Sequence, residues 1–350
     1  MFWCWIKRVV LVVVAVVLVI AAYLFIPVKI APAEHVVWGT TFTKSYAQYL
    51  GLDWRQTYLA ILDDLGVKSV RIGINWDEIE PEPGRFDFTD YDWMFDEAEK
   101  RGVEIVPAVG FKLPRWPECR APEFARVWLP ERSTLFARMF DIRVGPQREK
   151  FEEAQLNMMR EVIEHFKSRK SIKVWQVENE GFIGWFGDCP PIKNSFVRRE
   201  VEFVRALDPT RPILMTESGE LSTGIKSALA ADIVGTSLYR EVWNAPLKKF
   251  TTYPLPPSFY AHKARLLKPW VKEFQISELQ LEAWTREGIL NAPIEEQLER
   301  ISPEKMRAAI NYARRTGIDE IYAWGAEWWW WLKINGYPQL WEVAREEFAK

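Results

Sequence analysis

The chain has 350 residues, 48% of them hydrophobic and 27% charged, with a formal net charge of −2. That is ample apolar material for one large domain or two ordinary ones, and α/β barrels commonly reach this size as a single unit. The near-neutral balance excludes the basic field that would draw nucleic acid, while 19 tryptophans exceed what a core alone calls for. Flat indole faces suit the apolar faces of sugar rings.

Residues 1–8 read as a short stub ending in Lys7 and Arg8, followed by an unbroken apolar run over 9–26, from Val9 to Ile26. This run is long enough to cross a bilayer as a helix. Trp3, Trp5 and Tyr23 suit the two interfaces, and the basic pair favours a cytoplasmic N-terminus. The expectation is a membrane anchor with the remainder extracytoplasmic, in a periplasm or at a cell surface. A signal peptide cleaved near Ala31-Pro32-Ala33, giving a secreted protein, is the competing reading. Residues 27–34 read as a linker, and 35–350 as the main folded domain.

From residue 36 strand and helix signals alternate. Val36 to Thr40 reads as the first strand, and Asp53 caps a helix that stops at Gly66. Ser69–Asn75 is the second strand, followed by a helix capped by Thr89 and Asp90. Glu104–Val109 is the third, with a long loop and a helix over about 147–168. Ile172–Glu178 is the fourth, with a helix over about 194–207. Ile213–Thr216 is the fifth, Ile233–Leu238 the sixth, Lys272–Ser277 the seventh and Glu320–Trp324 the eighth. Their helices fall at about 225–230, 258–267, 302–315 and 339–348. Eight such units imply a parallel sheet closed into a (β/α)8 TIM barrel. An open doubly wound sheet is disfavoured, since the first strand has no glycine-rich phosphate turn after it. The long loops follow the third, fourth, sixth, seventh and eighth strands, on the face where barrel chemistry is assembled. Cys119 and Cys189 fall in two of those loops. A disulfide and two free thiols both remain open, because sequence does not supply the geometry of a bridge.

Two strand-like runs end in a carboxylate: Trp175 to Glu180 and Gln275 to Gln280. Hydrolysis of a glycosidic bond needs one protonated and one ionised carboxyl. Glu180 is the candidate acid/base, its pKa raised by burial and by a nearby charge, and Asn179 is placed to bind a sugar hydroxyl. Asn-Glu pairs also arise by chance, so the assignment rests on the combination. Glu278 is the candidate nucleophile and calls for a cation. Along the second strand Arg71 faces opposite to Val70 and Ile72, into the barrel, where an unpaired charge is costly. Its expected partner is Glu278, with Glu104 the structural alternative; the pleat alone does not decide where Glu278 points. Glu178 lies a layer below Glu180 and reads as support, Glu217 as substrate-binding, and Glu282 as lying beyond its strand. Tyr239 ends the sixth strand and is placed to donate to Glu278. Trp76, Trp116, Trp324 and Trp328 are candidate sugar platforms, each with core packing as the plain alternative. The three histidines, His35, His165 and His262, show no metal-ligand spacing, and no metal or other cofactor is expected.

Taken together these motifs resemble glycoside hydrolase clan A, the barrel superfamily of cellulases, mannanases and β-galactosidases. Val70 to Trp76 with Glu80 to Phe88 is similar to the clan's second strand and loop, and Leu113-Pro114-Arg115-Trp116 to its third loop. Trp175 to Glu180 resembles the strand-four motif in which the acid/base follows an Asn, although Gly181 stands where a Pro often follows. Asp208 to Pro212 resembles the approach to strand five, and Ile276-Ser277-Glu278 the strand-seven nucleophile. The resemblance implies a retaining hydrolase of β-linked sugars with Glu180 and Glu278 as its pair, some 5 Å apart. The expected partners are a saccharide or glycoconjugate and, through the N-terminal helix, a lipid bilayer. The alternatives are a barrel that binds carbohydrate without turnover and a metal-dependent lyase or isomerase.

Overall fold

The computed structural model describes residues 2–129, 147–184, 187, 189–190, 192–244 and 247–350. Eight parallel strands close into a barrel. In chain order they are β1 (Val37–Phe42), β2 (Ser69–Gly73), β3 (Glu104–Val109), β4 (Trp175–Val177), β5 (Ile213–Glu217), β6 (Ile233–Leu238), β9 (Glu273–Gln280) and β10 (Glu320–Trp324). Between β6 and β9 a two-stranded antiparallel hairpin, β7 (Glu241–Asn244) with β8 (Lys249–Thr252), stands outside the barrel. This is the (β/α)8 TIM barrel expected from the alternation.

The strands are buried on both faces, as a sheet wrapped by helices requires. Inward side chains form a small interior cluster of Val106, Val174, Leu214, Ile233 and Tyr322. Gly39 makes room for one of them, because a Cβ there would meet Tyr322 Cε1 at 2.5 Å. Asp53 caps its helix by accepting the amide hydrogens of Arg55 and Gln56 at 2.9 and 3.1 Å. Thr89 corrects the reading of a cap: it lies inside the helix Thr89–Lys100, and its amide donates to Asp87 Oδ1 at 2.9 Å. The Trp328 to Trp331 run, which follows the eighth strand, lies in the helix Ala326–Ile334.

The stub and the apolar run form one continuous helix, Phe2–Phe25. Its stretch Trp5–Phe25 has a mean hydropathy of 2.9 and is long and apolar enough to cross a membrane. Its last turn rests on the barrel helix Pro257–Leu267, where Tyr23 stacks on His262 at 4.2 Å and Phe25 packs on Phe259 at 5.2 Å.

Candidate active site

At the C-terminal end of β4 the chain turns sharply through Glu178, Asn179 and Glu180. Glu178 and Glu180 have φ of 56° and 48°, a region that non-glycine residues hold only when their surroundings impose it. The constraint is visible. The Glu178 carboxylate accepts the amide hydrogens of Phe111 and Lys112 at 2.8 and 2.6 Å. The Glu180 amide donates to Thr216 Oγ1 at 2.8 Å, and Lys112 Nζ to the Glu180 carbonyl at 3.4 Å. Glu178 is fully enclosed with Gln155 and Glu200, so its role is to hold the turn.

Arg71 reaches across the barrel from β2. Its Nη1 donates to Glu278 Oε1 at 2.9 Å, its Nε to Gln176 Oε1 at 2.6 Å and its Nη2 to Asn179 Oδ1 at 2.6 Å. One guanidinium thus joins β2, the β4 turn and β9. Glu104, the structural alternative, lies instead at the other end of β3, 3.9 Å from Lys173.

Glu278 owes its direction to a bulge. β6 pairs Thr236 with Ile276 but Ser237 with Glu278, leaving Ser277 as the extra residue. An inserted residue shifts the pleat by one and re-aims the next side chain. Glu278 therefore joins Arg71, and its Oε2 accepts from the Tyr239 hydroxyl at 3.1 Å.

Burial pushes the Glu180 carboxyl well above the ordinary carboxylate range, and the charges of Glu278, Glu118 and Glu220 push the same way against Lys112. Glu180 therefore keeps its proton to higher pH than an ordinary glutamate, beside a carboxyl group held by an arginine. The Tyr239 hydroxyl is also pushed well up, by burial and by Glu278, so it remains a donor.

Trp324 ends β10 at the same mouth, its ring 4.1 Å from the Arg115 guanidinium; Tyr46 faces the same guanidinium at 3.7 Å. Trp116 stands 65% exposed on the third loop. The other expected platforms are elsewhere. Trp76 is fully buried against Phe124 and Phe151 and donates to Glu80 at 2.6 Å. Trp328 is fully buried and donates to Gln297 at 2.7 Å. Both indoles have their polar edge satisfied inside the protein and no face free for a sugar. Glu217 likewise is spent on a buried ion pair with Lys263 at 2.7 Å and a bond from Thr236 at 2.9 Å, which leaves it no role at a substrate.

Residues 51–198 match the model of the family Glyco_hydro_42, described as beta-galactosidase. Over 124 residues the chain is 30% identical to beta-galactosidase BbgII of Bifidobacterium bifidum, covering 35% of this chain and 18% of that protein. Beta-galactosidase LacZ of Lactobacillus acidophilus is 24% identical over 132 residues, 37% of this chain and 19% of its own length. The chain thus aligns with under a fifth of these relatives. Among solved structures, GH5_18 of Bifidobacterium longum superposes with a TM-score of 0.58 at 12% identity, over 90% of this chain and 78% of that one. The beta-galactosidase of the haloarchaeon Halorubrum lacusprofundi gives 0.56 at 14% identity, over 89% and 58%. These solved structures share the barrel fold with this chain, and residues 51–198 are similar to the beta-galactosidase family.

Around the two glutamates the barrel places groups that sequence reasoning missed. Glu118 accepts from Asn179 Nδ2 at 3.3 Å and lies 3.4 Å from Lys112 Nζ; burial raises its pKa. A disulfide between Cys119 and Cys189 fastens this loop to the one after β4. Glu220 backs Tyr239, accepting its amide at 2.7 Å and the Tyr260 hydroxyl at 2.9 Å. Arg115 is paired with Glu282 at 2.7 Å and Glu327 at 3.4 Å. The Leu113-Pro114-Arg115-Trp116 motif was the available signal for Arg115. Nothing local marks Glu220, which sits three residues past the acid that sequence favoured.

Proposed function

We propose that this protein is a retaining β-glycosidase in which Glu180 is the acid/base and Glu278 the nucleophile. The observation that carries the reading is the Arg71 bridge, which holds Glu278 at the turn that presents Glu180, whose burial favours its protonated form. In the first half-reaction Glu278 attacks the anomeric carbon while Glu180 gives its proton to the leaving oxygen. The glycosyl ester so formed has lost the Glu278 charge that helps keep Glu180 protonated. Glu180 then gives up its proton readily and acts as base toward the incoming water. Tyr239 and Arg71 fix the two oxygens of Glu278 through both steps. The names of the matched relatives make a β-galactoside the first substrate to try. The apolar helix supports a membrane anchor, with the barrel outside the cytoplasm.

The deciding variant is Glu278→Ala. Hydrolysis of aryl β-galactosides should be lost, and azide should restore turnover by forming an α-glycosyl azide. Hydrolysis at the wild-type rate in that variant would remove Glu278 from the role. Release of the β-anomer as first product, followed by NMR, tests retention independently.

A further inference from the structure

The helix Pro257–Leu267 carries the anchor on one stripe. Tyr23 meets His262, Phe25 meets Phe259, and the Val28 amide donates to Ser258 Oγ at 3.2 Å. Rising anchor numbers meet falling barrel numbers, so the two helices run antiparallel. A helix of this barrel runs from the catalytic end of one strand back to the opposite end of the next. The anchor therefore arrives from the end opposite the catalytic mouth.

Phe259, His262 and Leu266 recur at i, i+3 and i+7, one face of the helix. The anchor covers the first two. Leu266, where the anchor has left the barrel, is 39% exposed, and Trp270, just past the helix end, is 53% exposed. The neighbouring short helix Ile225–Ala228 adds exposed Leu229 beside them, since Ala228 and Leu267 share one small core cluster. Arg265 and Lys268 stand exposed on the same end and form no ion pair among the described residues. An indole and two leucines rimmed by unpaired cations have the composition of a surface that sits at lipid headgroups. The patch also continues from the point where the membrane-length helix departs, and this selects a bilayer over a soluble partner.

We propose that Leu229, Leu266 and Trp270, with Arg265 and Lys268, rest in the headgroup layer of a bilayer containing anionic lipid. The catalytic mouth then faces away from the membrane, toward large substrates rather than the lipids beneath. This rests on the anchor reading above and adds an orientation to it.

The test uses the full chain with Cys4→Ser, reconstituted in phosphatidylcholine vesicles with and without phosphatidylglycerol. A nitroxide is placed in turn at Leu266→Cys, Trp270→Cys, Val16→Cys in the anchor and Gln56→Cys, exposed in the first turn of the helix Trp54–Asp64 at the catalytic end of the barrel. Accessibility to oxygen is compared with accessibility to a water-soluble nickel chelate. The expected result is a several-fold higher oxygen-to-nickel ratio at 266 and 270 than at 56, rising further with the anionic lipid. If position 16 lies in lipid while 266 and 270 match 56, the orientation is wrong and the anchor stands. A water-exposed position 16 overturns the anchor and this proposal with it. Labels at 266 and 270 shielded from both reagents would mean that protein covers the patch, which also overturns it.

Discussion

Arg71 Nη1 lies 2.9 Å from Glu278 Oε1, with the arginine side chain fully buried and the glutamate nearly so. Removing one partner of a buried pair leaves the other uncompensated, at a cost of about 3–5 kcal/mol. Arg71→Met should therefore lower stability by that order in urea unfolding and reduce kcat/KM by at least about 100-fold, the scale of losing a preorganised electrostatic contact. Arg71→Lys keeps the charge, but a single ammonium cannot serve Gln176, Asn179 and Glu278 in the geometry of the fork. It should recover stability more fully than turnover.

Glu180 sits on a strained turn that buries its carboxyl near Glu278, which favours the protonated form. Its replacement by Ala should cost about 10²–10⁴-fold with poor leaving groups. With 2,4-dinitrophenyl glycosides, which leave without protonation, the first step should be nearly unaffected. Azide should then accelerate turnover and yield a β-glycosyl azide, the opposite anomer to that from the Glu278 variant. A loss independent of the leaving group would assign the proton transfer to another acid, with Glu118 next in line.

Much of this was legible in the chain, and for physical reasons. Parallel strands buried on both faces read as apolar runs, so β3, β6 and β10 fall where the sequence puts them. Arg71 was legible because inward-facing charge on a barrel strand requires a partner. The direction of Glu278 was not, because it is set by a register shift against β6 that no local pattern encodes. Tryptophan misled for a related reason. Trp76 and Trp328 become core residues because Glu80 and Gln297 satisfy their ring N–H groups, and those partnerships form only on folding. The β7–β8 hairpin is short and half-exposed, and Arg300, distant in sequence, stacks on its Phe250 at 3.6 Å.

Burial raises the Glu327 carboxyl from 4.5 to about 7, with Glu282 adding to the rise and Arg115 opposing it. Below pH 4.5 the group is protonated in both folded and unfolded chains and is neutral to stability. Between pH 4.5 and about 7 the unfolded chain releases the proton while the folded one keeps it, so stability falls as pH rises. The shift amounts to about 3 kcal/mol over that window. Glu327→Gln removes this slope. Urea unfolding across the window should show wild type losing stability relative to the variant as pH rises, and parallel curves would refute the shift.

The Cys119–Cys189 disulfide spans 70 residues and ties the loop carrying Glu118 to the loop that follows Glu180. A closed loop of that length restricts the unfolded chain by about 4 kcal/mol. The paired replacement Cys119→Ser with Cys189→Ser should lower stability by that order. It should also impair catalysis, since Glu118 reaches Asn179 and Lys112 from the residue beside the bridge. Melting temperature and kcat, measured with and without dithiothreitol, separate the two effects. A purely structural bridge would lower the melting temperature and leave kcat unchanged at low temperature. A bridge that also positions Glu118 lowers kcat well below the melt, and the paired variant reproduces that loss without reductant.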